Sequence, residues 1–116
     1  MTNVMYFIGE RGHELYIYGH AEFDEAGKDI VCSAISSLGW ALLGYLENYA
    51  HDESDYAYLT DSGKLEVSAI STPEIDAAFH MAVIGLRQIE RKYPEYVRVS
   101  IVPHEADDSR EKTANY

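Results

Sequence analysis

The chain has 116 residues, enough for one domain and too few for two, and 47% of them are hydrophobic, so a core can form without metal clusters or disulfides. Lys and Arg number 9 against 20 Asp and Glu, a formal charge of −11. Such a body repels phosphate backbones and anionic lipid, which argues against direct nucleic-acid or membrane binding and leaves basic partners favoured by long-range attraction. Cys32 is the single cysteine, so no intramolecular disulfide can form and nothing calls for an oxidising compartment.

No apolar run is expected to reach the roughly 20 residues of a membrane span. Met1-Thr2-Asn3-Val4 lacks the basic and apolar regions of a secretory leader. The expectation is a soluble, cytoplasmic protein.

Residues 2–8 form an apolar run of strand length, with Val4, Tyr6 and Ile8 alternating with Met5 and Phe7. Gly9-Glu10-Arg11-Gly12 reads as a turn, and residues 13–19 alternate again, with Leu15 and Ile17 on one face and Glu14, Tyr16 and Tyr18 on the other. Together these predict a β-hairpin. Residues 20–28 are too polar and too glycine-broken for a core strand and read as an exposed loop.

A helix is expected from Asp29, a good N-cap type, with Val31, Ala34, Ile35, Leu38, Leu42, Tyr45, Leu46 and Tyr49 as its apolar stripe. Trp40, Ala41 and Leu43 widen that stripe beyond what one sheet needs, as extra core or as a helix-mediated dimer surface. A second hairpin follows, turning at Asp61-Ser62-Gly63. Thr72-Pro73 starts a second helix, because proline lacks only an N–H that the first turn leaves unpaired. Its stripe is Ile75, Ala78, Phe79, Ala82, Val83, Leu86 and Ile89, and Pro94 stops it. Tyr96 to Val102 reads as the last strand, and residues 104–116 as a polar, mobile tail behind a single domain over 1–103.

The order β-β-α-β-β-α-β implies an α+β, two-layer fold: a mostly antiparallel five-stranded sheet with both helices on one face.

One place gathers reactive side chains: Gly19-His20-Ala21, an acidic loop, then Gly27-Lys28-Asp29-Ile30-Val31-Cys32-Ser33-Ala34-Ile35-Ser36. His20 closes a strand, and Cys32 is expected in the first turn of the helix, where the positive end of the dipole favours a thiolate. An imidazole at the same sheet edge can take the thiol proton. Ser36 is one turn beyond Cys32, on the same face, and its hydroxyl can reach the thiol or a bound carbonyl. Glu22, Asp24, Glu25 and Asp29 oppose the dipole, and an Asp29 cap would occupy the Cys32 amide. Spacing alone does not choose between a nucleophile and a small buried thiol.

The same string resembles the signature of the ribosomal-processing cysteine protease family, Prp. Phe79, Gly85-Leu86, Ile89 and Tyr93-Pro94-Glu95-Tyr96-Val97 agree with it, and the likeness runs from about residue 3 to residue 102. Ser33 stands where alanine is common in the family. The resemblance implies a homodimeric cysteine endopeptidase that cuts an N-terminal extension from a basic large-subunit ribosomal protein after paired aromatic residues. It makes Cys32 the nucleophile and His20 the general base, with Asp29, Ser36 and Gly19 in support. Ala21, Glu22, Phe23, Asp24, Glu25, Ala26, Gly27 and Lys28 become a flap over the peptide.

Two other readings remain open: a phage or prophage relative that processes a virion structural protein, and a non-catalytic dimeric adaptor of the same fold. No cofactor is implied. His13, His20, His51, His80 and His104 are scattered, with no second cysteine, so no metal site is expected. His80 is expected as a hydrogen-bonded boundary residue, and His13 and His104 as solvated. The tyrosines, ten in all, read mainly as strand formers, with a peptide-stacking face as the other possibility.

Overall fold

A computed structural model describes residues 1–19, 26–61 and 63–103, without the side chains of 26–29. Five strands and two helices follow in the expected order: β1 (Thr2–Ile8), β2 (Gly12–Tyr18), α1 (Ala26–Tyr49), β3 (Tyr56–Asp61), β4 (Lys64–Ile70), α2 (Pro73–Lys92) and β5 (Val97–Pro103), with a short 3₁₀ turn at Glu53–Asp55. The strands form one sheet in the order β3-β4-β2-β1-β5. Only the β1–β5 pairing is parallel; β1–β2, β2–β4 and β3–β4 are antiparallel.

This order explains why both helices share a face. The β2-α1-β3 and β4-α2-β5 connections each join parallel strands while skipping neighbours. They start from oppositely directed strands and cross the sheet in opposite directions, so the right-handed rule puts α1 and α2 on the same side. There they pack against each other. Period-two alternation aims Val4, Tyr6, Leu15, Ile17, Leu65 and Val67 at the helices, which contribute Val31, Ile35, Leu46, Phe79, Val83 and Leu86. The other face of the sheet carries Tyr16 stacked on Phe7, with ring centroids 5.5 Å apart, and the Tyr18 hydroxyl 3.1 Å from the Met5 sulfur.

Helix α2 starts and stops as expected. The Thr72 side chain accepts a hydrogen bond from the Ile75 N–H at 3.1 Å, with Pro73 next in line. Glu74 and Asp76 lie in the first turn and Arg91 and Lys92 in the last, each matching the helix dipole. The helix ends before Pro94, which disfavours helical geometry at Tyr93.

Helix α1 departs from expectation. It begins at Ala26, so Ala26, Gly27 and Lys28 are helical rather than part of a loop, and Asp29 is its fourth residue rather than its N-cap. Ala26 and Lys28 are good helix formers, and extending an existing helix adds one hydrogen bond per residue fixed. Its wide apolar surface divides: Leu42, Leu43 and Leu46 are buried, while Trp40 and Tyr49 are exposed. By length and composition Ile30–Tyr49 also suffices to cross a bilayer, against the expectation that no run does. Its inner side lies in the core shared with the sheet and α2.

Candidate active site

Two cavities lie at opposite ends of the sheet on the described surface. One, of about 380 Å³, is lined by Arg11, His13, Tyr56 and Ser68 among others and holds none of the expected catalytic residues. The other, of about 270 Å³, contains Gly19, Cys32 and Ser36. Ile17, Ile35 and Leu65 form its apolar floor, Trp40 continues its helical wall, and Thr60, Asp61, Gly63 and Lys64 at the β3–β4 turn face that wall.

The sequence builds this cleft from three directions. On α1, Cys32, Ser36 and Trp40 recur every four residues, so they form one stripe along the helix. Gly39, beside Trp40, lets α1 approach β4 closely: a Cβ there would stand 2.5 Å from Leu65 Cδ2. At the end of β2, Gly19 has φ +100°, and a Cβ on it would stand 2.5 Å from the Met1 carbonyl oxygen. Only glycine fits that exit from the strand. Gly63, at φ +70°, makes the β3–β4 turn.

Of the expected site residues, the structure brings Gly19, Cys32 and Ser36 into one cleft. Cys32 is partly buried. His20 and the flap residues Ala21, Glu22, Phe23, Asp24 and Glu25 lie outside the described residues, as does the tail over 104–116. Asp29 is placed on α1 by its backbone, without its side chain.

The position of Cys32 differs from expectation in a way that matters chemically. It is the seventh residue of α1, not in the first turn. Only the first four N–H groups of a helix lack internal partners, so the Cys32 amide belongs to the helical ladder and is no oxyanion donor. The field of the helix end also falls off within one turn. Among the residues that line the cleft, the Ser36 hydroxyl, one turn along the helical wall, is the side-chain donor nearest to Cys32 in sequence. Around the rim, Lys64 Nζ lies 3.6 Å from a Glu66 oxygen, an exposed pair of small energetic weight.

A residue expected in solvent proves to be buried. His13 is 3% exposed, stacked on Phe79 with ring centroids 4.5 Å apart and edge-on to His80. Its Nε2 lies 2.6 Å from Asp76 Oδ1, and its Nδ1 2.6 Å from the Tyr6 hydroxyl. Burial lowers the His13 pKa below 6.5, against the opposing pull of Asp76. A carboxylate only accepts, so Nε2–H donates to Asp76 and the neutral ring accepts from Tyr6 at Nδ1. Ser71 Oγ also donates to Asp76, at 2.8 Å. The alternation carries the reason: position 13 has the parity of Leu15 and Ile17. The network ties β1 and β2 to α2 away from Cys32. Among the described residues, no group of three or more His, Cys, Asp or Glu could hold a metal ion.

Comparison with known proteins identifies a family and a matching fold. The family model described as cysteine protease Prp matches residues 1–98. The ribosomal processing cysteine protease Prp of Mycoplasma genitalium is 30% identical over 83 residues, covering 71% of this chain and 81% of that one. The protein of the same name from Staphylococcus aureus is 25% identical over 84 residues, covering 71% and 79%. Among solved structures, SMU.848 from Streptococcus mutans superposes with a TM-score of 0.77 at 23% identity, over 90% of this chain and 96% of that chain. The S. aureus protease with a substrate peptide gives a TM-score of 0.76 at 19% identity, over 87% and 99%.

Proposed function

The chain belongs to the cysteine protease Prp family, a family of hydrolases, and from that premise we propose that it removes an N-terminal extension from a basic large-subunit ribosomal protein by acyl transfer through Cys32 and His20. The observation that carries this reading is a single cleft holding Gly19, Cys32 and Ser36, with His20 the next residue after Gly19. The names of the M. genitalium and S. aureus relatives support ribosomal processing.

In this mechanism His20 takes the proton from Cys32 Sγ, and the thiolate attacks the scissile carbonyl carbon. The tetrahedral oxyanion accepts a hydrogen bond from Ser36. Its collapse breaks the C–N bond as His20 protonates the departing amine, leaving a thioester. Water, deprotonated by His20, then releases the acyl group and regenerates the thiol. Asp29 orients the imidazole. The enzyme works in the cytoplasm as a homodimer.

The test is a synthetic peptide spanning a ribosomal-protein N-terminal extension with two aromatic residues before the cut, followed by mass spectrometry. The native chain yields two products, and Cys32→Ala yields none. Equal cleavage by both, or no cleavage with a Cys32 that iodoacetamide modifies no faster than free cysteine, overturns the reading.

A further inference from the structure

Trp40 is the only tryptophan in the chain and is 57% exposed, although the same helix buries Leu42, Leu43 and Leu46 within two turns of it. It lines the cleft that contains Cys32. Between the two lies Ser36, and beneath them Ile17, Ile35 and Leu65. On the opposite wall, Thr60, Asp61 and Lys64 are polar. An indole left half in water above an apolar floor, beside a nucleophile, is a surface that gains most from covering by another flat apolar group.

We infer that Trp40 is a specificity-determining residue: it stacks on an aromatic side chain of the substrate held two to four residues from the scissile bond. This rests on the protease reading above and adds a position to it. The distance follows from helix geometry. Eight residues of helix separate the Cα atoms of Cys32 and Trp40 by about 12 Å along the axis. Helical side chains lean toward the N-terminus, which brings the indole back toward Cys32. An extended peptide advances about 3.3 Å per residue, so the matching side chain lies two to four positions from the carbonyl under attack, not next to it.

Being the sole tryptophan makes Trp40 its own reporter. Cys32→Ala protein, which binds without turnover, is titrated with the aromatic peptide while tryptophan emission is recorded. The emission shifts on saturation with that peptide and stays put with a version in which the aromatic two to four places from the cut is alanine.

In parallel, kcat/KM is measured for native and Trp40→Ala protein against peptides with alanine placed at each position in turn. The two changes fail to add by about three- to tenfold at one position two to four residues from the cut, mainly through KM. Trp40→Phe recovers part of the loss. Additive effects at every position, or coupling only at the residue adjoining the cut, overturn the inference even if the peptide is cleaved normally. Emission that shifts with protein concentration alone, and not with peptide, shows that a second copy covers Trp40 and also overturns it. If no peptide is cleaved but emission still responds selectively, the catalytic reading fails and the Trp40 subsite stands.

Discussion

The Gly19 N–H donates to the Gly63 carbonyl oxygen at 3.0 Å, joining the end of β2 to the turn between β3 and β4. Both residues have positive φ and both line the cleft, so this bond carries the β2–β4 ladder one step past Tyr18 and Lys64 into its lining. Gly19→Ala meets two penalties there, a left-handed backbone and a Cβ against the Met1 carbonyl. The expected loss is about 1–3 kcal/mol. Thermal unfolding checks the loss, and a fall in kcat/KM beyond the unfolded fraction checks the link to the site.

Ser36→Ala tests the consequence of a Cys32 amide tied up in the helical ladder. If the hydroxyl is the donor to the oxyanion, kcat falls by about ten- to a hundredfold with KM little changed. Steady-state kinetics separates the two constants; an unchanged kcat means that the donor is another group.

Gly39→Ala sets two effects against each other. Alanine gains about 1 kcal/mol of helix propensity over glycine. Its Cβ, however, meets Leu65, and overfilling a packed contact costs about 1–3 kcal/mol. The flexible end of Leu65 absorbs part of this, so stability changes little or falls slightly, while α1 moves off β4. A rise in peptide KM larger than any change in melting temperature would show that the cleft has widened.

The His13 network predicts a pH dependence of stability. The folded pKa lies below 6.5, so on acidification the unfolded chain takes up the proton first. Stability is therefore full above about pH 6.5 and declines as the pH falls from there toward the folded pKa. His13→Gln lowers stability at neutral pH but flattens the slope just below pH 6.5. Chemical denaturation in steps from pH 7.5 to about 5 reads both effects.

The charge of −11 predicts kinetics sensitive to salt. For a cationic peptide, kcat/KM falls as ionic strength rises and the Debye length shrinks toward about 8 Å, while a neutral peptide of the same core sequence responds weakly.

Much of the fold could be read from periodicity, because period two and period 3.6 report directly on which side chains share a face. Thr72-Pro73 and Pro94 mark the ends of α2 through a donor that is missing and a backbone region that is disfavoured. The start of α1 carries competing signals. Asp29 is a sound cap type, but capping preference competes with helix propensity in the residues before it, and Ala26 and Lys28 prevail. Cys32 and Ser36 share a face by spacing alone. Their meeting with Gly19 and the β3–β4 turn depends on sheet order, which no local pattern records. For His13 the polarity of histidine points to solvent while its parity with Leu15 and Ile17 points inward, and the fold follows the parity. The bond to Asp76, 63 residues away, makes its burial tolerable.

The N-terminus has a practical consequence. Thr2 lines the cleft, and the Met1 carbonyl oxygen faces Gly19. Residues fused ahead of Met1 therefore start beside the site, and a fused segment of substrate-like sequence acts as a tethered competitor, with an effective concentration in the millimolar range for a short flexible linker. Kinetic constants measured on such a fusion report the contest between tether and peptide. Removing the fused segment should lower the apparent KM while leaving kcat where it was.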